Sequence, residues 1–331
     1  MRDIIKFERN VPSFICYAAV GGQEERLGPL GEKFDLCDMS DRFGMDTFEK
    51  AEGEMGRISL SLALKKGNLK REALSCILAG DLENQCVASS GGLYSFGAPY
   101  IGLYSACSTC TEALLLLSSL IDGGILLGAT VTTSHNSAAE RQFRTPIEYG
   151  GQRSPTAQWT ATAAGAFILG KGGRVKIAEG MVGKIVDGLI SDASNMGCAM
   201  ARAAYDTIYT YLKLREPKSE DIDLIVTGDL GKVGSSLLFS LMREEFPAFA
   251  KKHVDCGTLL YDMEKKDVHA GASGCGCSAS VLATHFLPAL ERGEYKNILF
   301  LSTGALMSPS SIQQGENILG IAPLIKISSE E

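Results

Sequence analysis

Short apolar runs alternate with stretches of helical spacing along the chain. SCILAGDL (75–82), GILLGATVTTS (124–134) and NILFLSTGAL (297–306) are apolar, end in small-residue turns and read as strands buried on both faces. Between Glu49 and Lys65, Ala51, Met55, Ile58 and Leu62 recur every three or four residues, which predicts an amphipathic helix. The most apolar stretch, Ala113 to Val131, is interrupted by Ser118, Ser119, Asp122 and the pair Gly123-Gly124. It therefore reads as helix, turn and buried strand, not as a membrane span. Alternation of this kind predicts a layered α/β protein.

The pattern also repeats. CILAGDLENQ (76–85) matches LIVTGDLGKV (224–233), ACSTCTEAL (106–114) resembles GCGCSASVL (274–282), and ILLGAT (125–130) resembles ILFLST (298–303). Three matches in one order predict a duplicated α/β unit, with halves at 1–178 and 179–331. No Pro/Ser-rich linker marks the join, so one continuous core is expected.

Composition narrows the function classes. The 331 residues are 45% hydrophobic and 21% charged, as in globular proteins, with a net charge of −7. No Lys/Arg stripe appears, which argues against a nucleic-acid partner. The first twenty residues interleave charged and apolar positions, unlike a signal peptide. The ten cysteines are accordingly expected to be reduced, in a cytoplasmic setting.

Cys107, in SACSTCTEALLLLSSLIDGG, sits among small residues ahead of a leucine run, at a strand-to-helix turn. Unpaired N–H groups and the helix dipole favour a bound anion or a reactive thiol at such a place. Cysteine is equally a common packing residue, so both readings stand. Cys107/Cys110 has redox spacing, and Cys275-x-Cys277 could add two sulfurs for zinc. Cys-x-Cys is tight for one metal and Cys110 lies in an apolar helix, so packing is preferred and no metal is expected.

Four histidines are available. His285 lies in an apolar helix and reads as a core or half-buried residue, and His253, beside Lys251 and Lys252, reads as solvated. His135 opens a long polar connection and His269 precedes a Gly-rich turn, so these two are placed for proton transfer. AGASGCGCSAS (270–280) could cradle an oxyanion or carboxylate with backbone N–H groups. It fits neither the phosphate-loop nor the dinucleotide pattern, and no cofactor is expected. Arg141, Arg144 and Arg153 make the connection after His135 the densest cationic loop, suited to carboxylates.

With these features the chain resembles the thiolase superfamily, which includes thiolases and ketoacyl-ACP synthases, and within it a sporulation branch. The segments that carry the likeness are SACSTCTEALLLLSSLIDGG, TSHNSAAERQFRTPIEYGGQ, TGDL, DCGTLLYD, GASGCGCSA and STGALMSPSSIQQ, spread from about residue 76 to 315. The resemblance implies a thiolase-like five-layer αβαβα fold built from two duplicated halves, usually a homodimer. It also implies a part in spore formation: binding dipicolinic acid, free or as its calcium complex, for uptake into the forespore. The implied partners are other SpoVA proteins, membrane subunits among them. The implied location is the cytoplasmic side of the forespore or spore inner membrane, as a soluble peripheral subunit.

The departures from the superfamily shape the expectation. Condensing enzymes place catalytic His or Asn residues on second-half loops facing the cysteine. Here the corresponding stretch near Gly228-Asp229 holds no histidine, and GASGCGCSA holds no asparagine. A thiolate without a proton donor and a carbonyl polariser lacks the partners for Claisen chemistry. A ligand site is expected instead, with Cys107 as a neutral thiol and with Asp229, Ser273, Gly274, Arg141 and Arg144. The alternative is an acyltransferase or thiolase-type enzyme with Cys107 as nucleophile and His135 or His269 assisting.

Overall fold

A computed structural model describes residues 3–142 and 154–329, with side chains through residue 139 and from 154. Its core is one motif used twice. The first series runs β1 (Ser13–Gly21), α1 (Phe48–Lys66), β2 (Cys76–Gly80), α2 (Val87–Leu93), β3 (Tyr100–Gly102), α3 (Thr109–Asp122), β4 (Gly128–Ser134) and β5 (Ala163–Gly170). The second runs β6 (Val175–Met181), α4 (Met196–Arg215), β7 (Leu224–Thr227), α5 (Gly231–Met242), β8 (His253–Asp255), α6 (Cys275–Val281), β9 (Asn297–Leu301) and β10 (Leu324–Ser329). Strand order is β3-β2-β4-β5-β1 in the first sheet and β8-β7-β9-β10-β6 in the second, the two joined in one continuous path by the Ser13–Lys176 pairing of β1 with β6. The pairing senses agree too: β2 is parallel to β3 and β4, as β7 is to β8 and β9, while β5 and β10 are antiparallel to their neighbours. The strand that opens the second series runs across the 178/179 join.

The strands read as unbroken apolar runs because both faces are covered. On β2, Cys76 and Leu78 face the central layer while Ile77 and Ala79 face α1. On β9, Ile298 and Phe300 face the centre while Leu299 and Leu301 pack under α4. Period-two alternation is therefore present in geometry but invisible in polarity. Helices α3 and α6 lie between the sheets, α1 and α2 cover one outer face, and α4 and α5 cover the other. These are the five αβαβα layers.

Local signals set the helix ends. Thr47 caps α1 by accepting from Lys50 N (3.2 Å), and Gly67 ends that helix. Helix α3 buries residues on nearly every side, Cys110, Leu114, Leu117, Ser118 and Ile121 among them, as a central-layer helix must. Among the described residues, no helix is long and apolar enough to cross a membrane.

Candidate ligand-binding site

The site begins with a strained elbow. After β3 the chain turns at Ala106, whose φ of +50° is in the left-handed region, and then enters the short turn Ala106–Ser108 ahead of α3. The small polar residues of SACST hold this turn themselves. Ser108 Oγ donates to Ser105 O (2.6 Å) and Thr109 Oγ1 to Ala106 O (2.7 Å). Cys107 is thereby fixed at the helix start, 7% exposed.

Opposite it stands the second repeat's turn. Cys107 Sγ lies 4.0 Å from Ser273 Oγ. Ser273 Oγ donates to Asp229 Oδ2 (3.0 Å), Gly274 N to the same oxygen (2.9 Å) and Thr303 Oγ1 to Asp229 Oδ1 (2.8 Å). Burial pushes the Asp229 carboxyl above the usual carboxylate range, while Gly274, Thr303, Cys107 and Ser273 act against that shift by hydrogen bonding. Gly274 has φ +102°, and a Cβ there would sit 2.7 Å from Ser134 Oγ, so the turn requires glycine. Gln158 locks the same loops, donating from Nε2 to Asp229 O (2.7 Å) and Ala272 O (2.8 Å).

Asp255 forms a second buried carboxyl behind the first. It accepts from Thr227 Oγ1 (2.7 Å), Leu230 N (2.8 Å) and Gly231 N (2.9 Å). Burial pushes it up to about 7, with the neighbouring Asp229 adding to the rise.

The structure thus brings Cys107, Asp229, Ser273 and Gly274 together. The two candidate histidines have other contacts. His135 is fully buried, its Nε2 2.8 Å from Asp41 O and its Nδ1 accepting from Ser137 N (3.2 Å). Burial holds this imidazole below its ordinary pKa, so it serves as a neutral brace with both nitrogens engaged. His269 has φ +47° and sets Nε2 3.1 Å from Asp267 Oδ1. The Arg141 side chain and all of Arg144 and Arg153 lie outside the described residues.

His253 corrects its solvated reading. It lies on β8, with Nε2 2.8 Å from Thr227 Oγ1, and burial pushes it down to about 4. Its neighbouring lysines misled because β8 turns this side chain towards β7.

The sulfurs pack rather than cluster. Cys275 Sγ donates to Thr133 O (2.9 Å) and Cys277 Sγ to Gly228 O (3.6 Å), and burial pushes both thiols well up. Burial also raises Cys110, to about 12. Among the described residues no group of three or more His, Cys, Asp or Glu side chains is placed to hold a metal.

A small cavity of about 20 Å³ adjoins Cys107, walled by Leu82, Ala106, Thr160, Met196 and Met307 among others, with neither histidine among its described lining residues. Thr160, Gln158 and Thr303 escaped sequence reading. Each is an ordinary loop or strand-end polar residue far from Cys107 in the chain, and the sheet topology alone brings them together.

The family model described as Stage V sporulation protein AD (SpoVAD) matches residues 2–328. Stage V sporulation protein AD of Bacillus subtilis (strain 168) is 40% identical over 314 residues, covering 94% of this chain and 93% of the relative. Among solved structures, 3-oxoacyl-[acyl-carrier-protein] synthase III from Aquifex aeolicus VF5 has a TM-score of 0.58 at 14% identity, covering 95% of this chain and 99% of that one. A variant of Xanthomonas campestris OleA has a TM-score of 0.61 at 13% identity, covering 98% and 99%. These two likenesses establish a shared thiolase-like fold.

Proposed function

The chain belongs to the stage V sporulation protein AD family, and from that premise we propose that it binds dipicolinic acid for uptake into the forespore, on a thiolase scaffold that no longer condenses acyl groups. One observation carries this reading. Ser273 Oγ, which faces Cys107, is directed at the Asp229 carboxyl, as are Gly274 N–H and Thr303 Oγ1. Condensation needs such donors aimed at a substrate carbonyl, where negative charge develops. An aspartate that occupies them leaves the thiol without a polariser.

A ligand site is compatible with the same geometry. Burial favours a proton on Asp229, which lessens its repulsion of a dianion, and the calcium complex would present that carboxyl with a cation. Other SpoVA proteins, membrane subunits included, are the proposed partners. The proposed location is the cytoplasmic face of the forespore or spore inner membrane, as a soluble peripheral subunit. The preserved elbow at Ala106-Cys107 favours a second reading, an acyltransferase using Cys107 as nucleophile. Calorimetric titration with dipicolinate, set against acetyl-CoA, separates the two.

A further inference from the structure

The wall of the Cys107 cavity holds a polar group whose hydrogen bonding the fold does not complete. Thr160 belongs to the short strand Trp159–Thr160, paired in parallel with Ala272–Ser273 so that Thr160 stands opposite Ser273. It is fully buried, it lines the same cavity as Cys107, and its hydroxyl has no hydrogen-bond partner among the described residues. Its methyl group sits against the Gly274 turn, 3.2 Å from where a Cβ on that glycine would lie. A buried hydroxyl without a partner disfavours the fold, and one that lines a cavity is placed to gain its partner from whatever the cavity holds.

We propose that Thr160 is a ligand-binding residue whose hydroxyl donates to a carbonyl or carboxylate oxygen of the molecule held beside Cys107. Leu82, Ala106, Met196 and Met307 make much of the remaining wall apolar, so one hydroxyl would fix the orientation of a ligand there. At about 20 Å³ the cavity holds little more than a water. A larger ligand enters as the flexible side chains of Met196 and Met307 rotate aside. The assignment rests on the reading of Cys107 as part of a ligand site.

Thr160→Val removes the hydroxyl at nearly constant shape, and Thr160→Ser keeps it. Two probes separate the oxygen sources: dipicolinate, a carboxylate, by calorimetry, and iodoacetamide, a carboxamide, by mass-spectrometric rates of Cys107 alkylation. In the latter an S–C bond forms, iodide leaves and the thiol proton passes to buffer. Thr160→Val is expected to weaken dipicolinate binding or slow alkylation by about three- to tenfold, at an unchanged or raised melting temperature. Thr160→Ser stays near wild type. An effect on dipicolinate alone assigns a carboxylate oxygen, and on iodoacetamide alone a carbonyl oxygen. Wild-type behaviour of Thr160→Val with both probes overturns the assignment, as does a lowered melting temperature, which would give the hydroxyl a partner within the fold. If the wild type does not bind dipicolinate but Thr160→Val still slows alkylation, the proposed ligand fails and Thr160 stands.

Discussion

Asp81 and Asp229 follow equivalent strands, β2 and β7, yet their carboxyls have diverged. Asp81 accepts from Glu83 N (2.7 Å) and from Ser89 N (2.7 Å) and Oγ (2.5 Å), which ties it to α2. Asp229 is turned to the Cys107 side instead. The repeated Gly-Asp-Leu was legible in the sequence and marked this aspartate. Thr303 and Gln158 were not, because a buried hydrogen bond between distant segments leaves no local pattern. Glu25 is a second residue whose environment sequence could not reveal. Fully buried, it accepts from Thr162 N (3.0 Å), Gly22 N (3.1 Å) and the Tyr261 hydroxyl, and burial pushes it up to about 7. A carboxyl raised on folding contributes stability that is fully present below its unfolded value and lost as pH rises through about 7. Measured against an ordinary glutamate carboxyl near 4.5, that rise corresponds to on the order of 3 kcal/mol. Thermal melts between mildly acidic and mildly alkaline pH should show this loss. Glu25→Gln should flatten the slope and lower the melting temperature throughout, because its amide places a donor where N–H groups already point. An unchanged slope in the variant would remove Glu25 from the pH dependence.

The two central helices illustrate how much of an element sequence discloses. The elbow before α3 and the Gly-rich turn before α6 were both legible from runs of small residues, since only such residues fit a backbone packed this closely. The burial of α3 from both sides was legible only as a leucine run, because a helix apolar all round shows no face. The Gly274 turn gives the test at this scale. Gly274→Ala places a Cβ at φ +102° and 2.7 Å from Ser134 Oγ, whereas Gly293→Ala faces φ +75° with open space around it. The left-handed conformation alone costs about 1–2 kcal/mol, so Gly293→Ala should lose roughly that amount. Gly274→Ala should lose clearly more and also weaken ligand binding, because the Gly274 N–H orients Asp229. Chemical denaturation reads both, and equal losses would contradict the packing described for the turn.

Across the whole molecule, the duplication exposes an asymmetry between the two sheet edges. The residues of β3 are all exposed, whereas those of its counterpart β8 are half-buried or buried. Around β3, Val87, Tyr94 (81% exposed) and Tyr104 also reach solvent. An apolar free edge invites pairing, and a second copy of the chain closes such an edge symmetrically. Light scattering should therefore report a homodimer at micromolar concentration, which Ile101→Lys dissociates. A stable wild-type monomer would contradict this.

The central claim, a ligand site where a condensing enzyme has its catalytic centre, meets its most direct test in calorimetric titration of the purified protein and Cys107→Ala with dipicolinate, with acetyl-CoA as the control ligand. The account predicts saturable dipicolinate binding to the wild type, altered affinity in a fully folded Cys107→Ala, and no acetyl transfer from acetyl-CoA. Acetyl-CoA turnover by the wild type that Cys107→Ala abolishes, with no heat from dipicolinate, would contradict it.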